Sequence, residues 1–248
     1  MSAQPAIQIE ALGKRFGDAG PLVLDNINLR IEPGEFVCLL GASGCGKSTL
    51  LNIIAGLERP TTGTVTVASG NAAVMFQDAA LFPWLSARRN VELALRLRGV
   101  PRENRRSQAL ELLDVVNLAD AAEKRPHELS GGMRQRVALA RSLAQDRPVL
   151  LMDEPFAALD AITRDLLHEE LELVWRRTGR TIVFVTHNVR EAARLGQRVL
   201  LMSSRPGRIA NEWQVADTGP KRIESPEVAS LAIEITDHLR KEIRRNAA

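Results

Sequence analysis

The sequence predicts an α/β protein: a largely parallel sheet flanked by helices, an antiparallel β section near the N-terminus, and a helical insertion in the middle. Three observations predict it. Four short apolar runs, "EFVCLL", "VLLMD" (149–153), "TIVFVTH" (181–187) and "VLLMS" (199–203), suit strands buried on both faces, with helical patterns between them. "AIQIEAL" and "VLDNINLRI" place an apolar residue at every second position, as half-buried antiparallel strands do, and "GTVTVAS" repeats this after a Thr-Thr-Gly turn. From about Ser86 to Gln145 the period lengthens to three and four, and no strand pattern falls there.

Along the chain, the run "EFVCLL" ends in a glycine-rich turn that opens the helix "STLLNIIAGL". In the insertion, Val91 and Leu95, then Leu110 and Leu113, then Val137, Ala140 and Ala144 mark successive helix faces, bounded by "FPWLS" and "QDRP". After Gly219-Pro220 a linker and a basic amphipathic helix are expected, with Val228, Leu231, Ile235 and Leu239 on its apolar side. The expected organisation is one domain over 1–248. Residues 1–85 and 146–219 form the core with the antiparallel β section, 86–145 a helical subdomain, and 220–248 a helical tail.

Composition limits the function classes. Apolar content of 45% and charged content of 25% fit a globular protein with a core. No run approaches the roughly 18 apolar residues that a bilayer crossing needs, and "MSAQPAIQIEALGKRF" has no apolar segment of a secretory signal. Two cysteines, Cys38 and Cys45, do not make a disulfide framework, which suits a reducing compartment. Only five of 33 basic residues are lysines, and arginines cluster at Arg88-Arg89, Arg105-Arg106 and Arg244-Arg245. With three Trp, six Phe and no Tyr, aromatic residues do not interleave with these clusters as stacking platforms for bases would, so solvated helix faces are expected and no direct nucleic-acid contact.

The strongest motif is Gly41-Ala42-Ser43-Gly44-Cys45-Gly46-Lys47-Ser48, followed by Thr49. It matches the P-loop pattern at every required position and lies between a buried strand and a helix, the context that gives the pattern meaning. Glycines let the backbone fold into a nest whose N–H groups face a phosphate, and the helix N-terminus adds to that attraction. Lys47 is placed to bridge β- and γ-phosphates, and the Ser48 hydroxyl to ligate Mg²⁺. "VLLMDEP" supplies the acidic partner at a strand end. Asp153 is expected to hold Mg²⁺ through its water shell, and Glu154 to orient and polarise an attacking water.

A second glycine device follows. In "LSGGMRQRVALARSLA", Ser130 caps a helix expected to start near Met133, and Gly131 and Gly132 leave backbone N–H groups open to an anion. It has no phosphate-gripping lysine, so by itself it should bind nucleotide poorly.

"LSGGMRQRVALARSL", followed by "PVLLMDEPFAALD", resembles the signature and Walker B block of ATP-binding-cassette (ABC) ATPases, and six motifs in the family's order extend the resemblance over nearly the whole chain. The resemblance implies a P-loop NTPase (RecA-like) core and an ATPase that uses ATP and Mg²⁺. It also implies a homodimer in which the signature Ser130, Gly131 and Gly132 cap, in trans, the nucleotide held by the partner's P-loop. Asp160 in "AALDAITR" matches the D-loop across that interface. Gln77 in "VMFQD" matches the Q-loop glutamine that senses metal and water, and His187 in "FVTHN" the switch histidine beside Glu154 and the γ-phosphate. Phe16 in "GKRFG" falls where the family stacks an aromatic ring on adenine, and a core phenylalanine is the other reading. Met133 stands where the family often has Gln. "LSGGMRQR" and "FQDAALFPWLSARRNV" look most like the ATPases of nitrate/sulfonate/taurine-type importers.

That likeness implies two transmembrane permease subunits and, indirectly, a periplasmic or lipid-anchored solute-binding protein, with this chain at the cytoplasmic face of the cell membrane. Asp78 to Trp84 and the following helix are where a permease helix would dock. Leu81, Phe82 and Trp84 either line that groove or pack inside the chain. The chain ends soon after the core, so no long regulatory domain is expected. A soluble ABC ATPase acting on DNA or ribosomes is the alternative, and would call for long coiled coils or a tandem cassette. A small-molecule P-loop kinase would lack Ser130 and His187. Cys45, inside the nest, is expected to be shielded from thiol reagents by nucleotide.

Overall fold

The computed structural model describes residues 4–17, 20–68, 70–215 and 225–247. The alternating N-terminal segments form an antiparallel sheet of β1 (Ile7–Arg15), β2 (Leu22–Ile31) and β4 (Thr62–Val67), with β1 in the middle. Ile7 and Ile9, and Ile27, Leu29 and Ile31, are buried at every second position as the sequence pattern implies, whereas irregularities at Ala11 and Asn26, both with positive φ, put the buried Leu12 and Leu24 out of that period.

The continuous apolar runs become the interior of a six-stranded sheet. Its order is β5 (Ala73–Met75), β6 (Val149–Asp153), β7 (Thr181–Thr186), β3 (Phe36–Gly41), β8 (Arg198–Met202) and β9 (Ile209–Gln214). Pairings from β5 to β8 are parallel, and only β9 runs antiparallel at the edge. Both faces are covered, which is why these strands read as unbroken apolar runs. Phe36, Cys38 and Leu40 face one core with Leu150, Met152, Phe184 and Leu201. Val37 and Leu39 face the other with Leu151, Val183, Val185 and the antiparallel sheet. Full burial of each such side chain contributes about 1.5–3 kcal/mol.

The strand-free middle holds three helices, α2 (Ala87–Leu97), α3 (Arg102–Val115) and α4 (Gly131–Ala144), and they pack on one another. Ser86 caps α2 by accepting from the Arg89 N–H at 3.3 Å, which fixes its start after the turn at Pro83. Helix α1 (Lys47–Ile54) follows β3, α5 (Ala161–Thr178) joins β6 to β7, and α6 (Val189–Leu195) joins β7 to β8. The amphipathic C-terminal pattern is helix α7 (Pro226–Ala247), which buries Val228, Ala232 and Ile235 and packs on α6. The expected linker at Gly219-Pro220 lies outside the described residues. No helix among the described residues is long and apolar enough to cross a membrane.

The strands β6, β7 and β3 are consecutive neighbours and parallel, so their C-terminal ends open on the same edge of the sheet. Loops leaving that edge are where open α/β sheets bind ligands. Here they carry the glycine-rich turn, Asp153-Glu154 and His187.

Candidate functional site

The glycine-rich turn folds as a nest. Gly44 and Gly46 have positive φ (76° and 102°), and a Cβ on Gly46 would stand 2.7 Å from the Leu24 side chain, so glycine is required there on two counts. Gly46 is the N-cap of α1, and no side chain caps that helix. The first N–H groups of α1 therefore have no intrahelical acceptor. Lys47 is buried, and its ammonium donates to the Gly41 and Ala42 carbonyls at 2.9 and 3.0 Å. Among the described residues it has no carboxylate in ion-pair contact. A buried cation beside open N–H groups is an arrangement that a polyphosphate completes.

At the end of β6, the Asp153 carboxyl interacts with the Ser48 side chain. Burial raises its carboxyl above the ordinary range, the Ser48 side chain opposes that shift, and neighbouring Glu154 adds to it. Among the described residues no group of three or more His, Cys, Asp or Glu could hold a metal alone. The hydroxyl and carboxylate donors of Ser48 and Asp153 are hard oxygen ligands suited to Mg²⁺, whose remaining ligands are normally phosphates and water.

Glu154 lies in the left-handed region (φ 45°), and its N–H donates to the Val185 carbonyl at 3.0 Å. That hydrogen bond ties the strained residue to the neighbouring strand. The strand β7 ends one residue before His187, whose Nδ1 is 2.8 Å from Glu154 Oε2. A carboxylate only accepts, so Nδ1 carries the proton and Nε2 is left as an acceptor or second donor. The structure thus brings Lys47, Ser48, Asp153, Glu154 and His187 to one edge of the sheet.

Gln77 is exposed just beyond β5, and its backbone carbonyl accepts from Gln135 of α4 at 2.8 Å. Arg141 of the same helix donates to the Ala79 and Ala80 carbonyls at 2.6 and 2.7 Å. The segment that follows β5 is therefore pinned to the helix that begins at the second glycine device. That helix starts at Gly131, earlier than the expected start near Met133. Ser130 caps it as anticipated, accepting from the Met133 N–H at 3.2 Å while remaining exposed.

Gly131 and Gly132 pack against the start of α5 instead of the nest. Cβ atoms there would meet Leu159 Cδ2 at 3.3 Å and Thr163 Cγ2 at 2.5 Å. Asp160 is exposed and caps α5 through the Thr163 N–H at 3.0 Å, and that hydrogen bond holds its carboxyl below the ordinary range.

Two alternatives left open by sequence are resolved by burial. Phe16 is 50% exposed with Lys14 Nζ 4.7 Å from its ring centroid, so it is not a core residue. Leu81 packs on the core, whereas Phe82 and Trp84 (67% exposed) face outward with ring centroids 5.6 Å apart. Beside them, Leu93, Ala94, Leu97, Arg141 and Gln145 line an open cavity of about 370 Å³.

The expectation for Cys45 is corrected. Its side chain is turned into the core, and burial raises its thiol above the ordinary value. The thiol is therefore already shielded without nucleotide. Sequence reasoning also passed over Gln135, Arg141, Arg164 and Glu191, whose partners lie 58, 62, 27 and 27 positions or fewer away in chain order. Polar residues on amphipathic helices carry no sequence mark of such contacts.

Residues 24–157 match the family described as "ABC transporter". The chain is 50% identical over 218 residues to the nitrate import ATP-binding protein NrtD of Synechocystis, covering 84% of this chain and 82% of that protein. It is 46% identical over 205 residues to the taurine import ATP-binding protein TauB of Roseobacter denitrificans, covering 79% and 76%. Among solved structures, it is similar to the cassette MJ0796 in a dimeric post-hydrolysis state bound to ADP and Pi. The TM-score there is 0.73 at 35% identity, with 85% of this chain and 99% of that one covered. It is also similar to cbiO1 from Clostridium perfringens, part of the complex cbiONQ, with TM-score 0.78 at 26% identity over 86% and 89%.

Proposed function

The chain belongs to the ABC transporter family and is an ATPase coupled to transport; on that premise we propose that it drives a membrane importer, closing head-to-tail with a second copy around two Mg-ATP. The observation that carries this reading is the split between the two glycine devices. The nest at Gly41–Ser48 is uncapped and backed by a buried Lys47, whereas Gly131 and Gly132 pack on the start of α5, and that device has no lysine of its own.

In this reading the nest N–H groups and Lys47 bind the phosphates, and Phe16 stacks on adenine. The residues fit a magnesium ion: Ser48 and Asp153 would hold it, with Gln77 as the further ligand that the family resemblance implies, and bound there it would neutralise charge on the transferring phosphate. Glu154 takes the proton of the attacking water. His187 holds that carboxylate by its 2.8 Å contact and keeps one ring nitrogen for the γ-phosphate. Ser130, the Gly131 and Gly132 N–H groups and Asp160 serve the nucleotide of the partner copy. Because those contacts form only with ATP present, binding favours the closed pair and hydrolysis releases it.

The outward Phe82 and Trp84, beside the cavity lined by Leu93 and Leu97, form the surface for a helix of the permease subunits. The chain then sits at the cytoplasmic face of the cell membrane, and a solute-binding protein acts on the other side. The names of its relatives favour a small solute such as nitrate, taurine or another sulfonate.

The test is reconstitution with the two permease subunits in proteoliposomes, measuring ATP hydrolysis against nitrate, taurine and alkanesulfonates, each with its binding protein. Stimulation by one solute is expected. Stimulation by DNA or ribosomes, and by no solute, would instead support a soluble ABC ATPase.

A further inference from the structure

An ion pair between a partly buried arginine and a buried glutamate joins the segment after β6 to the segment after β7. Arg164, in the first turn of α5, donates through Nε to the Phe156 carbonyl at 3.3 Å and through Nη2 to the Leu159 carbonyl at 2.6 Å. Its guanidinium therefore grips both ends of the turn that delivers Asp160. The same guanidinium lies 3.5 Å from Glu191 Oε1 in α6. Glu191 is 5% exposed. Its other oxygen accepts from the Thr186 hydroxyl at 2.6 Å, and Oε1 also accepts from Asn188 Nδ2 at 3.3 Å. Thr186 and Asn188 flank His187, and the Thr186 hydroxyl in turn accepts from the Asn188 N–H at 2.9 Å. One carboxylate thus holds the residues on both sides of the histidine.

Each contact has a physical reason to be specific. A planar guanidinium can serve two carbonyls and a carboxylate at once, which a lysine ammonium on a flexible stem does not reproduce. A carboxylate this buried is costly unless charge and hydrogen bonds compensate it, and here they come from three segments. Burial pushes Glu191 upward, while the Thr186 hydrogen bond and Arg164 oppose that.

We propose that Arg164 and Glu191 are positioning residues that lock the Asp160 turn and the His187 loop into one body, so that the trans contact and the hydrolytic pair are set together. The inference rests on the assignment of Glu154 and His187 to hydrolysis. Neither Arg164 nor Glu191 touches nucleotide in this account. They act through His187 and Asp160, and a displacement of about 1 Å at a reacting group can cost on the order of 100-fold in rate.

The test compares Arg164→Lys, Glu191→Gln and Glu191→Asp with His187→Ala and Glu154→Gln, measuring kcat and KM for Mg-ATP, stoichiometry of a fluorescent ATP analogue, and thermal unfolding. Arg164→Lys keeps a cation beside Glu191, so it tests the fork even where Glu191→Gln fails to fold. Expected for both Arg164→Lys and Glu191→Gln is a fall in kcat of about tenfold or more per bound nucleotide with KM within about twofold, partly restored in Glu191→Asp. Glu191→Gln added to His187→Ala should cost clearly less than the product of the two separate losses, because the part of its effect that runs through the ring is already gone.

Unchanged kcat per bound nucleotide with only a lower unfolding temperature would overturn the positioning role. So would a full multiplicative loss in the double variant. Retained activity in His187→Ala and Glu154→Gln would instead overturn the assignment beneath it, and the two failures are therefore distinguishable.

Discussion

Glu154→Gln is the sharpest perturbation of the hydrolytic pair, because the structure limits what it changes. Gln and Glu have the same length and the same backbone tolerance, so the φ of 45° and the Val185 hydrogen bond are unaffected. The amide oxygen can still accept from His187 Nδ1 at the 2.8 Å position, so the loop keeps its anchor. Only the ability to take a proton from water is lost. A positioned general base contributes typically 10²- to 10⁴-fold, or about 3–5 kcal/mol of barrier at about 1.4 kcal/mol per decade. Phosphate release at saturating Mg-ATP should therefore fall by at least about 100-fold. Nucleotide affinity should change little, since the nest and Lys47 are intact. With binding preserved and hydrolysis blocked, size-exclusion chromatography in Mg-ATP should show a persistent dimer. A kcat within about tenfold of wild type would refute Glu154 as the base, since that is below the smallest effect such a group supplies. A variant that binds ATP yet elutes only as monomer would refute the closed pair.

Three further outcomes are expected. Ser130→Ala removes the 3.2 Å cap on α4, costing about 1 kcal/mol in urea unfolding, and should lower kcat more than ATP affinity; an equal loss of both would contradict action in trans. Gly132→Ala forces a methyl to 2.5 Å from the stiff Thr163 Cγ2, so it should destabilise by about 1–3 kcal/mol, and the added change Thr163→Ser should recover much of that. His168 is fully buried with neither ring nitrogen hydrogen-bonded among the described residues, and burial, then Arg194 and Arg164, lowers it from 6.5 to about 3. The unfolded chain takes up a proton across that window and the folded one does not. His168 thus favours folding fully above pH 6.5, and this is lost as pH falls towards 3, by at most about 1.4 kcal/mol per pH unit. Urea unfolding at pH 7.5 and 5 should therefore differ less in His168→Leu than in wild type.

The parallel strands were readable in sequence because a sheet covered on both faces leaves no polar alternation, as Phe36–Leu40 and Ile182–Val185 illustrate. The nest was readable because its glycine positions are set by backbone geometry within a few residues. Strand β9 was not, since its alternate positions Ile209, Asn211 and Trp213 are only half-buried at the sheet edge and mix polar with apolar residues. Strand β5 has three residues, too few for any period. The contacts of Gln135, Arg141, Arg164 and Glu191 depend on tertiary placement, and each residue by itself reads as part of a solvated helix face. Cys45 shows the converse: a residue inside a phosphate motif contributes its backbone to the nest and its side chain to the core.

The central claim is that a complete site needs the nest of one copy and the signature of another. Lys47→Ala removes the phosphate-binding cation, and Ser130→Arg blocks the exposed signature of a chain whose nest is intact. Each variant alone should be inactive. Mixed in equal amounts, random pairing puts half the dimers in a mixed state with one intact site, so about a quarter of wild-type ATPase activity should return. A mixture that stays at the level of its two inactive parents, while both variants are folded and still pair, would contradict the claim.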